Sequence, residues 1–133
     1  MAGFDSRIVS VLTLDGRNVK LAKPVTYTAR DGRVFIIPEG TMSDGASTPS
    51  AMWSLLPPFG DYWLPAILHD AAYRNTLLED INGLKVTADL PKLDCDNLLK
   101  EAMEICGVDA PTIETIYEGV KFGGWRSYRD DRK

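Results

Sequence analysis

Histidine occurs once in these 133 residues and cysteine twice, and both scarcities narrow the chemistry open to the chain. Imidazole is the side chain whose ordinary titration range spans neutral pH, so any imidazole-based acid–base step must pass through His69. Cys95 and Cys106 fall in one predicted helical stretch, about 16 Å apart along its axis and well beyond disulfide reach. They are expected to be free thiols. A single histidine without a cysteine pair nearby excludes an ordinary structural zinc site. No apolar run has the length of a membrane span, and the start Met1-Ala2-Gly3-Phe4-Asp5-Ser6-Arg7 lacks the basic and apolar regions of a signal peptide. Synthesis and folding in a reducing cytoplasm are expected. Basic residues are outnumbered, 15 against 19, for a net charge of −4, which argues against a nucleic-acid partner, because phosphate binding needs clustered Lys and Arg. The basic and aromatic stretch from Trp125 to Lys133 also carries Asp130 and Asp131 and reads as a solvated terminus. Internal repeats and low-complexity runs are missing too.

What is present is an ordinary globular composition, 44% hydrophobic and 26% charged, on a chain long enough for one core and one domain, residues 1–133. The fold expected is α+β: an N-terminal antiparallel sheet of β-hairpins over about residues 7–40, ordered loops over 41–61, and a helical part over 62–128 forming a small bundle of about three helices. The sheet is read from the β-rich runs Arg7–Leu14, Val19-Lys20-Leu21, Val25–Thr28 and Val34–Ile37, separated by the turn signals Asp15-Gly16 and Asp31-Gly32. Prolines and glycines punctuate the next segment, with Trp53 and Phe59 pinning it. A first helix is expected from about Tyr62 to Leu78, a second from Lys92 or Asp94 to Cys106, and a third after Pro111 to Gly123-Gly124. Between the first two, Asp80-Ile81-Asn82-Gly83 and Val86-Thr87 form an irregular excursion or a small hairpin.

The first helix carries Leu68-His69-Asp70-Ala71-Ala72-Tyr73 among apolar residues on both sides, so its polar groups must be at least half buried. Residues four apart share a helical face, which makes His69 and Tyr73 neighbours and turns Asp70 about 100° away. Asp70 therefore cannot orient the imidazole, and the carboxylates available to do so are Asp94 and Asp96 on the next helix, within reach if the two helices pack about 8 to 10 Å apart. Asp70 is left to bind something else, such as a cation held also by loop carbonyls. A structural histidine with one satisfied hydrogen bond remains the alternative. Ser43 or Ser47 could serve as a nucleophile with His69 as base, but no Gly-x-Ser-x-Gly elbow is present, and Asp44-Gly45-Ala46-Ser47 fits a loop or helix cap. Asp44 stays open as a further site carboxylate. A zinc or manganese site from His69, Asp70, Asp94 and Asp96 is a further option. The aromatic residues Trp53, Phe59, Tyr62, Trp63 and Trp125 read as core and rim, or as an apolar mouth for an acyl chain.

The run Ser43-Asp44-Gly45-Ala46-Ser47-Thr48-Pro49, then Trp53, Pro58-Phe59-Gly60, Leu68-His69-Asp70-x-x-Tyr73, Asp96 and Glu101-Ala102-Met103, resembles the bacterial and tailed-phage domain family DUF1353 over about residues 10 to 125, with several separated motifs in the family's order. That resemblance implies a phage or prophage origin and brings no established activity. His69-Asp70-x-x-Tyr73 with an aspartate on the next helix is also similar to the active-site pattern of phospholipase A2 and of the phospholipase domain in parvovirus capsid proteins. This second resemblance implies His69 as the base that deprotonates water, Asp96 as its orienter, Tyr73 as a hydrogen-bond donor to that aspartate, and Asp70 as a Ca2+ ligand together with loop carbonyls near Phe59 and Gly60. The glycine-rich calcium loop and the disulfide framework of the secreted enzymes are lacking. The expected function is thus a phage-encoded, virion-associated protein with a phospholipase-like or other hydrolytic site. Its partners would be other virion proteins and a phospholipid membrane. The alternatives are a non-catalytic component of a phage tail or virion, and a small protein that binds a host factor.

Overall fold

The computed structural model describes residues 3–5, 11–13, 19–43 and 63–123. Eight strands and three helices are found among them: β1 (Gly3–Phe4), β2 (Val11–Thr13), β3 (Val19–Leu21), β4 (Val25–Thr28), β5 (Val34–Ile37), β6 (Met42–Ser43), α1 (Trp63–Tyr73), β7 (Leu78–Ile81), β8 (Leu84–Thr87), α2 (Lys92–Ile105) and α3 (Ala110–Gly123). The arrangement is α+β, with an antiparallel sheet in the N-terminal half followed by helices.

The strands form two sheets where a single one was expected. β1-β4-β5-β7-β8 is five-stranded and β2-β3-β6 is three-stranded. At the centre of the larger sheet, β4 and β5 pair antiparallel with Tyr27 opposite Phe35 and Val25 opposite Ile37. Alternate residues of a strand face opposite sides, and Val25, Tyr27, Phe35 and Ile37 all lie buried on one face. Gly32, at φ +94°, makes the turn between them, and its amide donates to the Ala29 carbonyl.

The excursion after α1 is a true hairpin, and it belongs to the sheet. Asn82 and Gly83, both at positive φ, form the two-residue turn that right-twisted strands favour, and β7 pairs with β5 in the register Val34↔Asp80, Ile36↔Leu78. The small hairpin that the sequence left open within the mainly helical part thus returns two strands to the sheet.

α1 is the central element. Every position from Leu64 to Tyr73 is buried, with Leu64, Ile67, Leu68, Ala71 and Ala72 packed among Tyr27, Phe35 and Ile37 of the sheet and Cys95, Leu98 and Ala102 of α2. The helix ends at Tyr73, five residues earlier than its apolar pattern suggests. Asn75 takes a left-handed conformation at φ +61°, and the amides of Arg74, Thr76 and Leu77 bond back to Asp70 and Ala71, which satisfies the last carbonyls and stops the helix.

α2 buries two stripes. Cys95, Leu98 and Ala102 join the main core, while Leu99 and Met103 face α3 through Ile113, Ile116 and Val120. Gly107, at φ +84°, follows its end, and Asp109 caps α3 by accepting from the Thr112 amide. Pro111 occupies the first turn of α3, where its missing N–H costs nothing.

Candidate functional site

A helix buried on all sides must satisfy its polar side chains inside the protein, and α1 brings three: His69, Asp70 and Tyr73, with exposures of 0, 3 and 0%. Their one-turn spacing stacks the rings of His69 and Tyr73, with centroids 4.1 Å apart. Both converge on α2. The His69 Nε2 lies 2.8 Å from Asp96 Oδ1, and the Tyr73 hydroxyl donates to the same oxygen at 2.5 Å. An ionised carboxylate only accepts, so the network places the proton on Nε2 and fixes the ring's orientation.

Asp96 is the orienting carboxylate, and Asp94 is not. Two residues apart on a helix is a rotation of about 200°, so only one of the two can face α1. Asp96 is 1% exposed. Asp94 is exposed and lines a separate cavity of about 280 Å³ with Asp31, Arg33, Phe35, Leu90 and Leu98.

A fourth member, Lys92, was unsignalled as a site residue. Its Nζ donates to Asp96 Oδ2 at 2.7 Å and to the carbonyls of Val120 and Lys121 at 2.9 and 3.2 Å. The side chain is 3% exposed, far below what is usual for lysine. The i,i+4 spacing Lys92-x-x-x-Asp96 is the signal that could have found it.

Asp96 is thus met by one lysine, one tyrosine and one histidine side chain. Burial by itself would push the Asp96 carboxyl up, but the hydrogen bonds from His69, Lys92 and Tyr73 outweigh it and hold the group below the usual carboxylate range. Burial, followed by the bond to Asp96, pushes the Tyr73 phenol far above its ordinary value. Tyr73 is therefore a fixed hydrogen-bond donor throughout the physiological range.

Calcium takes six to eight oxygens. Of the ligands expected for it, Asp70 alone lies among the described residues. Among the described residues no group of three His, Cys, Asp or Glu is placed to hold a metal ion. Asp44, Ser47, Trp53, Phe59 and Gly60 lie outside the described residues.

A second tyrosine–carboxylate pair joins the sheet to α2. The Tyr27 hydroxyl donates to Glu101 Oε1 at 2.5 Å, and the Arg30 amide donates to the same oxygen at 3.1 Å. Burial first, then this bond, pushes the Tyr27 phenol well up. The pair spans 74 residues of sequence, and nothing local announces it. Among the described residues no helix is long and apolar enough to cross a membrane.

Residues 19–120 match the model of a family described as "Protein of unknown function (DUF1353)". No curated protein and no solved structure matches the chain. The chain belongs to the DUF1353 family.

Proposed function

We propose that this DUF1353 member is a hydrolase in which His69 activates water, with a phospholipid ester as the substrate class. The observation that carries the reading is the convergence of His69 Nε2 and the Tyr73 hydroxyl on one oxygen of Asp96, at 2.8 and 2.5 Å. A general base needs a fixed ring and a fixed tautomer. A carboxylate that accepts the Nε2 proton leaves Nδ1 as the nitrogen with a lone pair. In the step envisaged, Nδ1 takes a proton from water while the water oxygen bonds to the ester carbonyl carbon. The tetrahedral intermediate then expels the alcohol oxygen, which receives that proton from the imidazolium. Asp96 stabilises the transient positive ring without itself being protonated, and Tyr73 keeps the carboxylate in place.

The resemblance of the motif order to a bacterial and tailed-phage family supports a wider reading. The protein would be phage-encoded, made in the host cytoplasm and carried in the virion, with other virion proteins and a phospholipid membrane as its partners. Asp70, one residue from the base and 3% exposed, is the residue that would present a carboxylate to a calcium ion.

One observation favours a second reading. His69, Tyr73, Lys92 and Asp96 are all buried, with His69 at 0% exposure, as befits a polar staple that locks α1, α2 and α3 together in a non-catalytic virion component. His69→Gln separates the two. A catalyst should lose on the order of 10²-fold or more in fatty-acid release from mixed phospholipid vesicles, with calcium or with chelator, while staying folded. A staple should instead lose about 1–3 kcal/mol of stability. If the unmodified protein releases no fatty acid under any condition while His69→Gln is clearly destabilised, the hydrolase reading fails.

A further inference from the structure

The Asp96 carboxylate receives two donors on Oδ1 and one on Oδ2. Rotation about the last bond of an aspartate is broad, so two donors sharing one oxygen leave the carboxylate plane loosely set. A donor on the other oxygen removes that freedom. Lys92 is this donor, and it is itself held. Among the described residues its ammonium donates to Asp96 Oδ2 and to the carbonyls of Val120 and Lys121 in the last turn of α3. Those carbonyls sit at a helix C-terminus, where a cation is favoured. The Lys92 stem therefore spans from the end of α3 to the far side of the carboxylate that orients His69.

We propose that Lys92 is a positioning residue: by fixing Asp96 Oδ2 it turns Oδ1 toward His69 and Tyr73, sets the imidazole's orientation and tautomer, and makes both depend on the docked last turn of α3. Its meaning for catalysis rests on the reading of His69 as a base, whereas its geometry does not. A lysine that only closed the end of α3 would stabilise the fold and leave the imidazole indifferent to its loss.

The single histidine makes the test unambiguous, since the full chain labelled with [15N]histidine gives one pair of imidazole nitrogen signals. In the unmodified protein the Nε2 proton is expected far downfield and slow to exchange. Lys92→Met should move that resonance or lose it to exchange, and should lower fatty-acid release at least tenfold through kcat with little change in KM. Val120→Ala, which thins the core beside the same helix end but keeps its carbonyl, should leave the imidazole signals where they are. If Lys92→Met does not fold, Lys92→Arg carries the test. Guanidinium spreads its donors over a planar fork, so the resonance should move, and an unmoved one overturns the proposal. So does a folded Lys92→Met with unchanged imidazole signals, or a Val120→Ala that moves them equally. Movement in Lys92→Met supports the proposal even where the unmodified chain releases no fatty acid, a result that refutes only the hydrolase.

Discussion

Replacing Asp96 with Asn keeps the side chain's shape and removes its charge, and the consequences can be worked from its three bonds. The amide offers one acceptor oxygen and one NH2 group. If the oxygen faces His69 and Tyr73, the NH2 opposes the Lys92 ammonium; if it faces Lys92, His69 must change tautomer and Tyr73 turn its hydroxyl for either to accept from the NH2. Either way the Lys92 charge loses its carboxylate, in a site where the Asp96 side chain is 1% exposed and that of Lys92 3%. Removing one partner of a buried ion pair costs about 3–5 kcal/mol, most of it from the charge left behind. A chain of this length has a total stability of about 7–20 kcal/mol, so Asp96→Asn should consume a large share of it and lower Tm by about 10–20 °C.

The measurement is urea unfolding followed by far-ultraviolet circular dichroism at pH 7, for Asp96→Asn, Lys92→Met and the double variant. The double variant removes both charges together, so its loss should fall short of the sum of the single losses by about 2 kcal/mol or more. A loss below about 1 kcal/mol for Asp96→Asn, or additivity of the pair, would refute the account of Lys92 and Asp96 as a coupled buried pair.

The parts of this molecule that could be read from sequence are those whose cause is local. β-rich runs on either side of the Asp31-Gly32 turn signal marked β4 and β5, whose Val25, Tyr27, Phe35 and Ile37 share one buried face. One-turn spacing made His69 and Tyr73 neighbours, and the exclusion of Asp70 as orienter followed from the same rotation. Spacing alone left Asp94 and Asp96 both open, since the choice depends on how α2 is rotated about its axis when it docks, and only the motif resemblance pointed to Asp96. Two features were missed for the same reason. Pairing of β7 with β5 is made across 42 to 46 residues, and the Tyr27–Glu101 bond across 74. Lys92 was read as a helix start, because lysine at a helix end is ordinarily solvated. What buries it is the end of α3, an element whose place in space no spacing within α2 announces. The early end of α1 turns on Asn75, whose left-handed backbone is one of several conformations open to that residue.

Cys106 is partly exposed and Cys95 fully buried, so a thiol reagent should modify Cys106 in the native protein and Cys95 only on unfolding, and two thiols should titrate in denaturant. A native protein in which both react at one rate would contradict this placement. The acid limb of the stability curve tests Asp96 itself. Its folded carboxyl lies below the usual range, so the deprotonated form is favoured more in the folded chain than in the unfolded one. Stability from this group is then complete above the unfolded value of about 3.9 and is lost as pH falls through the lower folded value. Urea midpoints taken from pH 7 to pH 2 should therefore show a fall below about pH 4 that Asp96→Asn flattens, with the slope between pH 5 and 7 unchanged by the substitution. A fall between pH 7 and 5 that the same substitution erases would mean that desolvation wins over the three donors, and that the buried carboxyl is neutral where the dyad needs it charged.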